Sequence, residues 1–114
     1  MLRARIYHNP MWSKSRESVK ILTENNIPFK IIEYMKNGIS KEELKNIIEI
    51  LKIKTKDIIR TSDPKFKELK IDIDNEAQAF EAIVNNPRIL QRPVILYNKK
   101  CVIGRPPEKI LEIL

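Results

Sequence analysis

A chain of 114 residues with 42% hydrophobic and 32% charged side chains is expected to form one globular domain rather than a disordered segment or two domains in tandem. Two glycines exclude a glycine-rich phosphate loop. One cysteine excludes an intramolecular disulfide, a Cys-x-x-Cys pair and a cysteine zinc site, and one histidine excludes a multi-histidine metal site.

The elements read as follows in chain order. Arg3 to Tyr7 alternates basic and small or apolar residues before His8-Asn9-Pro10, a short strand ending in a turn. Lys14 to Asn25 has helical spacing, with Ser13 as its cap and Val19, Ile21 and Leu22 toward a core. Phe29 to Glu33 is a second strand, and the short links favour a parallel β-α-β unit. Ser40-Lys41-Glu42-Glu43 is a capping box, followed by Leu44, Ile47, Ile48 and Leu51 on one helical face. A short turn of helix over Lys56 to Ile59, a helix opened by Asp63-Pro64 and running through Leu69, and a helix over Asn75 to Val84 complete a helical block. Val94 to Tyr97 and Cys101 to Ile103, joined by Asn98 to Lys100, form a hairpin. Pro106-Pro107 opens a last helix with Ile110, Leu111 and Leu114 expected on its inner side. The order is β-α-β, helices, β-β-α, a small α/β domain.

The net charge of +7 is spread along the chain, with 12 basic against 7 acidic residues before Ile58 and 10 against 8 from there on. No basic arm is present and aromatic residues are few, so nucleic acid is not an expected partner. A solvated basic surface is the plain reading, and an anionic small substrate or an acidic protein partner fits it too. No run approaches 18 apolar residues, no membrane is expected, and the lone cysteine suits a reducing, cytoplasmic setting.

The chemistry concentrates in Ile6 to Arg16, IYHNPMWSKSR. A strand runs through a tight turn into a helix start, where unpaired N–H groups and the dipole favour an anion or a thiolate. Lys14 and Arg16 add positive charge, and His8 stands just before the turn. The bland reading is a surface turn capped by Ser13. His8 is then a polar strand end, Cys101 a small buried apolar residue, and Arg60, Arg92 and Arg105 solvated surface arginines.

The HNP-x-x-SKSR segment after a short first strand resembles the arsenate reductase family, which includes Spx-like regulators and short members of unassigned activity. Further along, IIRTSDPKFKELK, ILQRPVIL and VIGRPPEKIL match the family's later segments in order and spacing, so the resemblance covers essentially the whole chain and is nearest to the short members. It implies a thioredoxin-like fold. It also implies a mechanism in which a loop cysteine attacks arsenate as thiolate, glutathione completes reduction to arsenite, and glutaredoxin resolves the mixed disulfide. Arg60, Arg92 and Arg105 match the arginines that hold the oxyanion, Asn9 belongs to the same binding loop, His8 tunes the nucleophile, and Pro93 matches a cis-proline. No bound cofactor or metal is implied. Guanidinium forks suit a tetrahedral oxyanion and stabilise charge that grows during attack.

One position departs from the pattern. The family nucleophile falls on Trp12, whose indole has an N–H donor and no useful nucleophilic lone pair. The Spx-like Cys-x-x-Cys switch is absent as well, since Trp12 and Ser15 occupy its two places. Three explanations stand side by side: a pseudoenzyme that binds without reacting, a UGA codon that specifies selenocysteine, and a Cys-to-Trp substitution. The expected functions are therefore an arsenate reductase-like protein inactive through position 12, or an Spx-like regulator contacting RNA polymerase or another acidic protein.

Overall fold

The computed structural model describes residues 3–8 and 13–114. In chain order its elements are β1 (Ala4–Tyr7), α1 (Ser13–Glu24), β2 (Phe29–Ile32), α2 (Tyr34–Asn37), α3 (Lys41–Leu51), a 3-10 turn at Thr55–Ile58, α4 (Pro64–Leu69), α5 (Glu76–Asn85), a 3-10 turn at Pro87–Ile89, β3 (Val94–Tyr97), β4 (Lys100–Ile103) and a closing 3-10 helix, Pro107–Ile113. They fall into two compact units, Met1–Lys36 with Arg92–Leu114, and Asn37–Gln91.

The first unit carries a four-stranded sheet in the order β2-β1-β3-β4. β1 and β2 are parallel, as the short strand-helix-strand links require, while β3 runs antiparallel to both β1 and β4. This is the thioredoxin-like α/β arrangement expected from the sequence. Side chains alternate across each strand. Ala4, Ile6, Ile95 and Val102 therefore share a core cluster with Leu22 of α1 and with Ile110 and Ile113. Tyr7 points the other way from Ile6 and meets Tyr34 edge to face, ring centroids 6.3 Å apart.

Two expectations need correction here. Helix α1 starts at Ser13 itself, so Ser13 stands inside the helix rather than before it. The closing helix buries Pro107, Ile110 and Ile113, whereas Leu111 is 53% and Leu114 39% exposed. Ile110 lies on the inner side as expected; the cause of the rest is the helix type, because three residues per turn align positions 107, 110 and 113, whereas a 3.6-residue period turns Leu111 and Leu114 toward the side of Ile110.

In the second unit the capping box forms as read. Glu43 N–H donates to Ser40 Oγ at 3.0 Å, and Ser40 N–H donates to Glu43 Oε1 at 3.2 Å. Leu44 and Ile47 are fully buried, with Ile48 and Leu51 half-buried beside them. Thr55 is held against α5 by Glu76, whose carboxylate accepts from Thr55 N–H at 2.9 Å and Thr55 Oγ1 at 2.7 Å. An isolated antiparallel bridge, Ile59 to Leu90, ties the two ends of the block together. Among the described residues no helix is long and apolar enough to cross a membrane.

Candidate functional site

The register of the sheet gathers several of the expected residues at one end. Tyr7 pairs with Ile32 and Val94, and Val94 pairs with Ile103, so the last residues of β1, β2 and β4 and the first of β3 lie in a row. One step beyond that row stand His8, Glu33, Pro93 and Gly104. Arg92 and Arg105 come next. Ligand sites in open α/β sheets form outside the carboxyl ends of parallel strands, which is this end of β1 and β2.

His8 continues β1, its N–H donating to Ile32 O at 3.0 Å. Its ring is buried, and its Nδ1 has no hydrogen-bond partner among the described residues. Burial pushes the imidazole below its usual 6.5; the Glu33 carboxylate opposes the shift and the Arg16 guanidinium adds to it. A ring so placed is predominantly neutral at pH 7, able to accept a proton rather than to act as a fixed cation.

Gly104 sets how closely the chain packs here. A Cβ at this position would lie 2.9 Å from Ser18 Oγ, 3.0 Å from Pro93 Cγ and 3.1 Å from Ile95 Cδ1. Without it, Gly104 N–H reaches Pro93 O at 2.9 Å. The Arg92–Pro93 bond is cis, as the resemblance implies, and so is Arg105–Pro106, which the sequence did not indicate. Arg92, half-buried, and Arg105, exposed, thus flank two residues joined by a backbone hydrogen bond. Ser15, in the first turn of α1, is fully buried. Asn9, Trp12 and the Lys14 side chain lie outside the described residues.

Arg60 belongs to the second unit. It follows Ile59 of the bridge, and its N–H donates to Ile89 O at 2.7 Å. Arg60 Nη1 donates to Asp63 Oδ2 at 3.0 Å, while Arg88 Nε donates to Asp63 Oδ1 at 2.9 Å. Asp63 also caps α4 by accepting from Lys65 N–H at 2.8 Å. Burial would raise the Asp63 carboxyl, but the Lys65 amide, Arg88 and Arg60 together hold it below the ordinary carboxylate value.

Cys101 sits on β4 opposite Leu96, half-buried, and burial pushes its thiol up to about 12. At pH 7 it stays protonated, the opposite of an activated nucleophile. Among the described residues no group of three or more His, Cys, Asp or Glu could hold a metal.

Sequence reasoning missed Gly104, Glu33, Asp63 and Arg88. Asp63 was visible only as a helix start. Its link to Arg88 spans 25 positions and leaves no local signal.

A model of the ArsC family matches residues 7–113. An arsenate reductase of Haemophilus influenzae is 39% identical over 96% of this chain and 97% of its own length. The global transcriptional regulator Spx of Listeria innocua is 31% identical over 96% of this chain and 85% of its own. The solved structure of an arsenate reductase from Vibrio cholerae superposes with a TM-score of 0.89 at 34% identity, covering 99% of this chain and 98% of that one.

Proposed function

The chain belongs to the ArsC family, and from that premise we propose that it binds an arsenate-like oxyanion but does not reduce it through position 12. The observation that carries this reading is the thiol inventory. The only cysteine is Cys101, with its thiol pushed up to about 12, and the family's nucleophile position holds Trp12. Arsenate reduction of the family kind begins with a thiolate attacking arsenic, and an indole supplies no equivalent lone pair.

The binding half rests on the arginines. Arg92 and Arg105 flank the Pro93–Gly104 hydrogen bond, and His8 stays neutral at the end of the neighbouring strand. Arg60 and Asn9 join them by resemblance. Titration with sulfate, phosphate and arsenate tests each arginine: Arg60→Ala, Arg92→Ala and Arg105→Ala are each expected to weaken binding, and an unchanged affinity removes that residue from the site.

The reaction half is tested by an assay with glutathione and glutaredoxin on this chain and on Trp12→Cys. Arsenite formation by the tryptophan form at the no-enzyme rate, with turnover gained in Trp12→Cys, is the expected outcome. Turnover by the tryptophan form well above that control contradicts the proposal. The same cysteine variant should trap glutaredoxin if that protein is its partner. Reading codon 12 in the native gene separates the explanations of Trp12, and a UGG codon there ends the selenocysteine one.

A second reading takes the Spx relative as its guide. With neither half of a Cys-x-x-Cys pair at Trp12 and Ser15, this chain would act by contact alone, its +7 charge suiting an acidic partner. A stoichiometric complex with RNA polymerase in a pull-down supports that reading; no such complex removes it.

A further inference from the structure

The ion pairs of the second unit place a carboxylate where the proposed oxyanion arginine needs one. Three features bear on this. Arg60 is largely withdrawn from water, its side chain 18% exposed, and Asp63 is more so at 6%. Their contact runs through Nη1 alone. The opposite edge of the guanidinium, where Nε–H and an Nη2–H point in parallel, has no hydrogen-bond partner among the described residues, and that edge is the one suited to two oxygens of an oxyanion. Finally, Asp63 answers to two cations. Arg88 Nε holds the other carboxylate oxygen, so one negative charge is shared by two guanidinium groups and the cluster keeps a net positive charge.

A half-buried guanidinium with one carboxylate on one edge has few rotamers left. Here the backbone supports the geometry. Asp63 N–H donates to Arg60 O at 3.1 Å, closing a turn that returns the carboxylate over the arginine that begins it. The Lys65 amide fixes Oδ1 from the other side. We propose that Asp63 is a positioning residue for anion binding, holding Arg60 by Nη1 so that its Nε/Nη2 edge meets the oxyanion already oriented, while Arg88 keeps Asp63 from cancelling the Arg60 charge. This rests on the reading of Arg60 as an anion-binding arginine. Preorganisation of this kind raises affinity by removing the ordering cost from the binding step.

A double-mutant cycle on arsenate and sulfate affinity tests it, read by calorimetric titration, with urea unfolding recorded for every variant. Asp63→Asn keeps the size and an acceptor for the Lys65 amide but loses the charge. It is expected to weaken binding about tenfold, the scale of one charged hydrogen bond. In an Arg60→Ala background the same substitution is expected to change affinity less than twofold, because Asp63 then has no arginine to hold. A merely structural Asp63 lowers affinity equally in both backgrounds, and that result overturns the inference. So does an Asp63→Asn affinity within twofold of the unsubstituted chain when Arg60→Ala weakens binding. If Arg60→Ala itself leaves affinity unchanged, the anion role of Arg60 fails first and the positioning role with it. Asp63→Glu, which retains the charge, carries the cycle if Asp63→Asn does not fold, with a smaller loss expected and the same cancellation in the Arg60→Ala background.

Discussion

The two units place their arginines by different means. In the first, backbone does the placing: the ladder that pairs Val94 with Ile103 and the Gly104–Pro93 hydrogen bond bring Arg92 and Arg105 to one sheet end. In the second, a side chain does it, with one buried carboxylate gripping Arg60 and Arg88. Backbone placement depends on packing beneath the site and tolerates changes of surface charge. Side-chain placement depends on a single ionised group, so one substitution or a drop in pH undoes it.

Substitutions that break one unit and spare the other sharpen this contrast. The largest effect is expected in the sheet, where Ile95→Ala leaves a cavity in the core cluster and lowers unfolding free energy by about 2–5 kcal/mol. Gly104→Ala comes next, at about 1–3 kcal/mol, because its Cβ would meet Ser18, Pro93 and Ile95 inside 3.2 Å. It should also weaken oxyanion binding by moving Arg105, and unimpaired binding would show that the close approach does not place that arginine. In the second unit Ser40→Ala removes the capping box of α3 and costs about 0.5–2 kcal/mol, with anion affinity unchanged.

Acidity separates the two units by window. The His8 ring is held neutral in the folded chain, so as pH falls below 6.5 the unfolded chain takes up a proton that the folded one refuses, and stability declines until the folded ring also protonates. Asp63 is shifted the same way from 3.8, so its contribution is present above that value and is lost as pH falls through its lower folded value. Urea midpoints between pH 7 and 5 should therefore flatten in His8→Gln and keep their slope in Asp63→Asn. The reverse pattern would assign the windows to other groups.

Local patterns in the sequence carried much of this architecture. Ser40 and Glu43 announced α3, the Asn98 to Lys100 turn announced the hairpin, and alternation in Arg3 to Tyr7 announced β1. The closing helix was located and Ile110 correctly placed on its inner side, but Leu111 and Leu114 were not, because the buried Pro107, Ile110 and Ile113 recur every three residues, a spacing that was there to be read. The candidate site was visible in part. Arg92 with Pro93, and Arg105, entered it through the resemblance, since isolated arginines have no pattern of their own. Asp63 and Gly104 were not, because their significance lies in contacts with Arg88, Ser18 and Ile95, which only folding brings near.

Alkylation by iodoacetamide at pH 7, followed by intact mass and peptide mapping on protein purified from its native cells, bears most directly on whether the nucleophile is missing. The expected result is a mass that carries tryptophan at position 12 and a single adduct forming slowly at Cys101, while Trp12→Cys gains a second, fast adduct at that position. Rapid labelling of the native protein at position 12, or at Cys101, would mean that a reactive nucleophile is present after all.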